Sequence, residues 1–319
     1  MLLDFEKTAA LIGEGKLLHI AGTESLLRAL PKGNWIGGST EYFVANTGGI
    51  VTDSQLSVNI LDFSEYTFTV YDCDTIEKVA ADGYENGLTI LIIPFNSDVH
   101  TEYAGKAPAY EDMFIKPVVG WISGLNLGKE QTPIAVNGFT GECFADKAVA
   151  LSLKVPDGKR ADIKIVNIFD EDDSSPVIHF DKNGFAAQVC LVDGEEVDFA
   201  EYIEENAIDT NLPLVGDYSG MGVNVSIKSI ADGIVNFYAP VFADIDYHFA
   251  KAIPDYEKAF GDKLNEIENK DSVFACNCIL NFLYGNLEGK KINGLYGAIT
   301  FGEIAWQLLN QTLVYVTIE

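Results

Sequence analysis

Short apolar runs rich in β-branched and aromatic residues alternate with helical stretches along the chain, and this alternation most constrains the fold. The runs at 56–61, 66–71 and 88–93 predict strands, and 75–84 between the last two predicts a helix. The clearest helical pattern covers 254–269, where apolar residues recur on one face. This rhythm is typical of an α/β (α+β mixed) protein, in which mixed sheets are flanked by helices.

Turn-forming residues mark several connections between these elements. The segment 154–159 combines Pro and Gly, and it predicts a hairpin that joins strands at 148–155 and 161–169. A second hairpin is predicted within 223–238, and a helix at 199–206.

Three short segments resemble one another, which indicates an internal duplication. Each places Gly, Thr and Glu close together ahead of an apolar strand, at 37–41, 138–142 and 297–303. A shift in composition at the acidic run 193–198 marks a boundary between the second and the third of these segments. We therefore predict two related halves, residues 1–196 and 197–319, each a mixed β-sheet flanked by helices.

The charge of the chain excludes several classes of partner. Acidic residues outnumber basic ones by 48 to 21, which gives a formal net charge of -27. Such a charge repels phosphate backbones and anionic lipid, so we expect no nucleic-acid and no membrane partner. The longest apolar run, 88–95, is far shorter than the roughly 20 residues that span a bilayer. The N-terminus lacks a basic signal-peptide region, and five scattered cysteines fit reduced thiols, so we expect a cytoplasmic protein.

The carboxyl-terminal segment carries the most specific pattern in the chain. It reads Phe-Ala-Cys at 274–276, Gly-Ala-Ile-Thr-Phe-Gly-Glu-Ile at 297–304 and Asn-Gln-Thr-Leu at 310–313. In this order and spacing the motifs resemble the carboxyl-terminal half of the FIST family of intracellular sensory domains. Gly-Gly-Ser-Thr at 37–40 resembles a motif of that family's amino-terminal half.

The resemblance implies a FIST N-like half and a FIST C-like half in a stand-alone, divergent member. It implies a non-enzymatic signal-transduction protein that binds a small molecule such as an amino acid. Because both halves fill the chain, the signal would pass to a separate output protein. The ligand-binding residues implied by the matching motifs are Ser39, Thr40, Cys276, Thr300, Glu303 and Asn310.

Two positions depart from the family pattern and leave the ligand open. Glu41 follows the amino-terminal motif directly, where the family usually has Gly-Glu, and Ile279 stands where an Arg is common. If that Arg normally holds an anionic ligand, the ligand of this protein is different or missing.

The motif residues also allow other functions. Thr300 and Glu303 either line a ligand cleft or satisfy backbone donors at a tight turn. Cys276 is either a small buried strand residue or a nucleophile. The alternatives to a sensor are therefore a hydrolase or transferase that uses Cys276 or a Thr/Glu pair, and a scaffolding homodimer with a degenerate pocket.

Some FIST proteins bind haem, and His248, between Tyr247 and Phe249, is the candidate ligand here. The sequence has no haem attachment motif, and no pattern that predicts a metal site. We therefore expect purified protein to show no Soret band in its absorption spectrum. A red protein that loses its colour in the His248→Ala variant would contradict this expectation.

Overall fold

A computed structural model of the chain confirms the predicted mixed α/β class. The structure describes residues 1–129, 131–172, 174–218, 222–267, 271–291 and 295–319. Its helices are α1 Phe5–Gly13, α2 Glu24–Ala29, α3 Asp98–Lys106, α4 Phe199–Glu205, α5 Tyr256–Asn265 and α6 Ile279–Tyr284.

The strands come in two groups along the chain. Up to residue 167 they are β1 Leu2–Leu3, β2 Leu17–Gly22, β3 Trp35–Ser39, β4 Tyr42–Ala45, β5 Gly48–Val51, β6 Leu56–Leu61, β7 Tyr66–Tyr71, β8 Gly87–Pro94, β9 Val118–Ser123, β10 Ala135–Asn137, β11 Glu142–Phe144, β12 Ala148–Lys154 and β13 Ala161–Asn167. After it they are β14 Ile178–His179, β15 Gly184–Ala187, β16 Val189–Val192, β17 Glu195–Asp198, β18 Leu214–Asp217, β19 Gly222–Val225, β20 Ile227–Ala231, β21 Ile234–Val241, β22 Asp246–Phe249, β23 Phe274–Cys278, β24 Gly297–Thr300, β25 Glu303–Ala305, β26 Gln307–Leu309 and β27 Thr312–Ile318.

Three sheets share the same central arrangement. Their strand orders are β1-β6-β2-β3-β10-β11 (sheet A), β26-β25-β9-β8-β12-β7 (sheet B) and β13-β27-β23-β24-β4-β5 (sheet C). In each sheet one central pair is parallel, namely β2 with β3, β8 with β9, and β23 with β24. Because parallel neighbours need a crossover connection, each pair has a helix between its strands in the chain, α2, α3 or α6. The fold therefore contains three βαβ units.

The second parallel strand of every unit ends at a small hydroxyl residue, Ser39, Ser123 or Thr300, and all three are fully buried. Ser39 and Thr300 belong to the first and third of the segments that resemble one another in sequence. The second of those segments, 138–142, instead connects β10 with β11. The similarity of the first and third segments thus reflects equivalent places in the fold.

Sheets A, B and C pack around one shared apolar core. At its centre His19 of sheet A accepts a hydrogen bond at Nε2 from Trp121 Nε1 of sheet B, at 2.8 Å. The His19 ring also lies 5.4 Å from the ring of Phe274 in sheet C. Burial lowers the pKa of His19 to about 4, so a neutral imidazole joins the three sheets at physiological pH.

Residues 178–218 and 222–249 form a separate pair of sheets with an apolar cluster of their own. Their strand orders are β17-β16-β14-β22-β18-β19 (sheet D) and β15-β21-β20 (sheet E). The predicted hairpin in this region is confirmed as β20 and β21, and the predicted helix is α4. The division at residue 196 stays a prediction. Residue 196 itself lies in β17, and sheets B and C combine strands from both sides of it.

The hairpin predicted at 154–159 is wrong, although the turn itself forms. Lys159 N donates to Pro156 O at 3.1 Å, as expected for a turn. However, β12 pairs with β7 and β8 in sheet B, whereas β13 pairs with β27 in sheet C. The turn connects two sheets, because each strand has partners far away in the sequence.

The two other helix predictions differ from the structure in length. Within 75–84 only Ile76–Lys78 forms a short 3-10 helix. The helix predicted at 254–269 is α5, which Asp255 caps by accepting from Lys258 N, and residues 268 and 269 lie outside the described residues. None of the described helices combines the length and the hydrophobicity that a membrane-spanning helix needs.

Candidate functional site

The carboxyl-terminal motif residues form a buried polar cluster where β24, β25 and β27 meet. Thr300 Oγ1 donates to Glu303 Oε1 at 3.0 Å. Thr312 donates to the other oxygen, Oε2, from its backbone N at 3.3 Å and from its hydroxyl at 2.8 Å. The carboxyl group of Glu303 thus connects the three strands through hydrogen bonds. Thr300 and Glu303 are both fully buried, so this connection lies inside the core.

Burial raises the pKa of Glu303 to about 8, although the hydrogen bonds from Thr312 and Thr300 oppose the shift. Nothing in the described part of the chain forms an ion pair with it. The thiol of Cys278 also contacts this carboxyl group, and burial raises the pKa of that thiol. At neutral pH Glu303 is therefore mostly protonated. Its side chain is then a neutral hydrogen-bonding group, as an amide is, and not an anion.

Cys276 is a buried residue of β23, and its Sγ lies 3.3 Å from the carbonyl oxygen of Gly120. Burial raises the pKa of its thiol, mainly through loss of water. A nucleophilic role requires an accessible thiol, and the structure gives Cys276 no such access.

Asn310 lies in the turn between β26 and β27 and connects this turn to sheets D and E. Its Oδ1 accepts from Ser226 N at 3.0 Å and from Ser226 Oγ at 2.7 Å. Ser226 lies between β19 and β20, so this amide joins sheets B and C to sheets D and E.

A polar pocket of about 380 Å³ opens where β2, β3 and β9 end. We name it the Ser39 pocket, and its lining includes Arg28, Ser39, Thr40, Glu41, Asp53 and Lys129. Crevices at the carboxyl ends of parallel strands are a general place for ligands in α/β sheets. Cys276, Thr300, Glu303 and Asn310 do not line this pocket, so the structure groups only Ser39 and Thr40 of the predicted site residues here.

The floor of the Ser39 pocket is fixed by the two predicted residues. Ser39 Oγ accepts from Ile134 N at 2.9 Å, and Thr40 Oγ1 donates to Ile299 O at 2.8 Å. Both side chains are fully buried. Thr40 thereby connects sheet A to β24 of sheet C, one residue before Thr300.

Charges of both signs line the wall of the pocket. Lys129 Nζ forms an ion pair with Glu41 Oε1 at 2.7 Å, and Asn126 Nδ2 donates to Glu41 Oε2 at 3.1 Å. Arg28 Nε donates to Glu24 Oε1 at 2.7 Å, and a guanidinium group has four further N–H donors. The departure from the family pattern at Glu41 thus supplies a carboxylate to the pocket.

Sequence reasoning missed Arg28 and Lys129. Lys129 lies 88 positions from Glu41, and no motif surrounds either cation. The second departure, Ile279, is a buried residue at the start of α6 that packs in an apolar cluster. An Arg at this position would meet that apolar cluster in this chain.

A second cavity, of about 680 Å³, lies where α3, the turn between β25 and β26, and the loops of sheet D meet. We name it the Trp306 cleft, and its lining includes Phe114, Tyr218, Phe242, Asp244, Trp306 and Gln307. It shares no lining residue with the Ser39 pocket.

His248 lies in sheet D and does not fit a haem ligand. Its Nδ1 is 2.9 Å from the carbonyl oxygen of Ser175, and its Nε2 is 3.4 Å from Glu171 Oε1. It lines neither the Ser39 pocket nor the Trp306 cleft. Both ring nitrogens thus face protein oxygens rather than a space that holds a porphyrin. Among the described residues no group of three or more His, Cys, Asp or Glu side chains is placed to hold a metal ion.

A family model described as a family of unknown function (DUF6976) matches residues 3–319. No curated protein and no solved structure matches the chain.

Proposed function

The chain belongs to the DUF6976 family, and we propose that it is a cytoplasmic sensory protein that binds a small ligand such as an amino acid. The ligand occupies the Ser39 pocket. Ligand binding produces a signal that a separate signalling protein receives, as the resemblance to FIST sensory domains implies. The observation that carries the proposal is a pocket with both cations and carboxylates at the ends of parallel strands.

The charges of the pocket suit a zwitterion. The remaining N–H donors of Arg28 and the ammonium group of Lys129 are suitable hydrogen-bond partners for the carboxylate of such a ligand. Glu41 and Asp53 offer acceptors to an ammonium group. A volume of about 380 Å³ accommodates a small metabolite, since ligand sites commonly begin near 300 Å³.

The polar lining also bears on the alternatives. A degenerate scaffold would fill this cavity with apolar side chains, whereas its wall holds Arg28, Glu41 and Lys129. An enzyme that uses Cys276 would need that thiol in a cavity, and it lies in the core instead.

The proposal is tested by titrating the full chain with each of the standard amino acids, using thermal shift and then calorimetry. We expect at least one of them to raise the melting temperature, because a ligand that binds only the native state stabilises it. Lys129→Gln and Arg28→Gln are each expected to weaken that binding about tenfold, which corresponds to about 1.4 kcal/mol.

Lys154→Gln is the matched control. The Lys154 side chain is 42% exposed and lies 2.7 Å from Glu65, and Lys129 is also 42% exposed and 2.7 Å from Glu41. Lys154 lies outside the pocket, so its variant should bind like the natural chain. The proposal fails if no amino acid stabilises the protein, or if both pocket variants bind with unchanged affinity.

A further inference from the structure

The Trp306 cleft has aromatic walls that are partly exposed. Phe114, Tyr218, Phe242 and Trp306 all line it, and Phe114 is 61% exposed. The rings of Tyr218 and Phe242 meet edge to face at 5.8 Å. Exposed aromatic surface gathered around a cavity favours a flat apolar ligand, which buries that surface and stacks on the rings.

A buried amide in the wall lacks a hydrogen-bond partner. Gln307 is only 4% exposed, and its Nε2 has no acceptor among the described residues. Leaving such a buried donor unpaired costs free energy. An acceptor atom on a bound molecule would remove this cost.

The backbone next to Gln307 is held in an unusual conformation. Trp306 has a φ of 62°, in the left-handed region that non-glycine residues rarely adopt. Two hydrogen bonds fix it there, from Trp306 N to Val118 O at 2.9 Å and from the Tyr103 hydroxyl to Trp306 O at 3.0 Å. The turn between β25 and β26 therefore sets the positions of Trp306 and Gln307 in the cleft wall.

The charge of the cleft favours a cation. Among the described residues no cation lies within ion-pair distance of Asp244, whereas Lys106 in the same wall is 2.8 Å from Glu102. The whole chain carries a net charge of -27, which also attracts cations. Aromatic faces add to this preference, because the electron-rich ring attracts an ammonium group.

From these four features we infer that the Trp306 cleft is a second binding site, for a small aromatic amine that also carries a hydrogen-bond acceptor. The ring lies against the aromatic walls, and the ammonium group faces Asp244. The Gln307 side chain turns its Nε2, which is buried in this structure, toward the acceptor. The site does not depend on the Ser39 pocket, so either site can fail its test alone.

The test compares tyramine with 4-hydroxyphenylacetate, which have the same phenol and opposite charges, by calorimetric titration of the full chain. We expect tyramine to bind at least tenfold more tightly than the acid. Asp244→Asn should remove most of this difference. Gln307→Met should weaken tyramine binding at least fivefold without lowering the melting temperature, because methionine removes an unpaired donor at similar volume.

Asp181→Asn removes an exposed carboxylate outside the cleft and is the control for the loss of one charge. The inference is overturned if tyramine does not bind, if the acid binds equally well, or if tyramine binds Asp244→Asn and Gln307→Met as tightly as the natural chain. Binding that responds to Lys129→Gln and not to Asp244→Asn would place tyramine in the Ser39 pocket and would also overturn it.

Discussion

Replacing Glu303 by glutamine is expected to stabilise the protein by an amount that grows with pH. Between about pH 5 and about pH 9 the advantage of the variant in the free energy of unfolding should increase by on the order of 4 kcal/mol. The reason is that burial raises the pKa of Glu303 from 4.5 to about 8.

The direction of this effect follows from the protons that each state binds. Above the unfolded pKa of 4.5 the unfolded chain loses the proton of Glu303, whereas the native protein keeps it until about pH 8. Raising the pH therefore favours the unfolded state across this interval. The stability that the protonated group contributes is complete below pH 4.5 and is lost as the pH rises through 8. Glutamine does not titrate, so its variant has no such loss.

Glutamine also fits the hydrogen bonds of the site. Its oxygen can accept from Thr312, as Glu303 Oε2 does now. Its nitrogen can donate to Thr300 Oγ1, whose hydroxyl can turn to Asn277 O at 3.3 Å. Thr300 and Thr312 therefore both keep a hydrogen-bond partner after the change.

The measurement is urea unfolding of both proteins at about pH 5, 7 and 9. Burial lowers the pKa of His19 and His100 to about 4, which makes the stability of both proteins fall below pH 6.5. This loss is common to the two chains and cancels in their difference. Glu196→Gln, at an exposed carboxyl group, controls for the loss of one negative charge. Parallel stability curves for Glu303→Gln and the natural chain would show that Glu303 is not held protonated.

The local structure of this chain was predictable in part, because strands and helices depend on nearby residues. The strands at 56–61 and 66–71 occur where the short apolar runs predicted them, and α4 follows its capping Asp198. The partners of the strands were not predictable in this way. β13 pairs with β27, from the opposite end of the chain, so the nearby turn at 154–159 gave a wrong hairpin.

The site was predictable only in part, for the same physical reason. The motif at 37–40 lies at the end of a parallel strand, where Ser39 and Thr40 form the floor of a pocket. The charges above this floor come from elsewhere in the chain, and Lys129 reaches Glu41 across 88 positions. Similarly, Trp306 and Gln307 carry no motif, and only the fold brings them beside sheet D.

The largest loss of stability is expected from Gly120→Ala, because the close pairing of β8 and β9 leaves no room for a side chain. A Cβ atom at position 120 would lie 1.8 Å from Leu91 O and 2.7 Å from Leu91 C. These are backbone atoms of the paired strand, so a rotamer change cannot relieve the overlap. Gly120 is also bound on its other side by Ile304 of β25, and its carbonyl contacts Cys276.

Separating β8 from β9 would disturb the core that all three sheets share, so we expect a loss of about 4 kcal/mol or more in the free energy of unfolding.

Two other glycines serve as controls for this value in the same urea experiment. At Gly22 the added Cβ meets the terminal methyl of Leu56, which can move, so Gly22→Ala should cost about 1 kcal/mol. At Gly261 in α5 nothing lies within 4 Å, and Gly261→Ala should stabilise the protein by about 0.5–1 kcal/mol. If Gly120→Ala gives no soluble protein, the soluble yields of all three variants test the same predicted ranking, with Gly120→Ala lowest and Gly261→Ala highest. Equal stability or yield for Gly120→Ala and Gly261→Ala would contradict the close contact of β8 with β9.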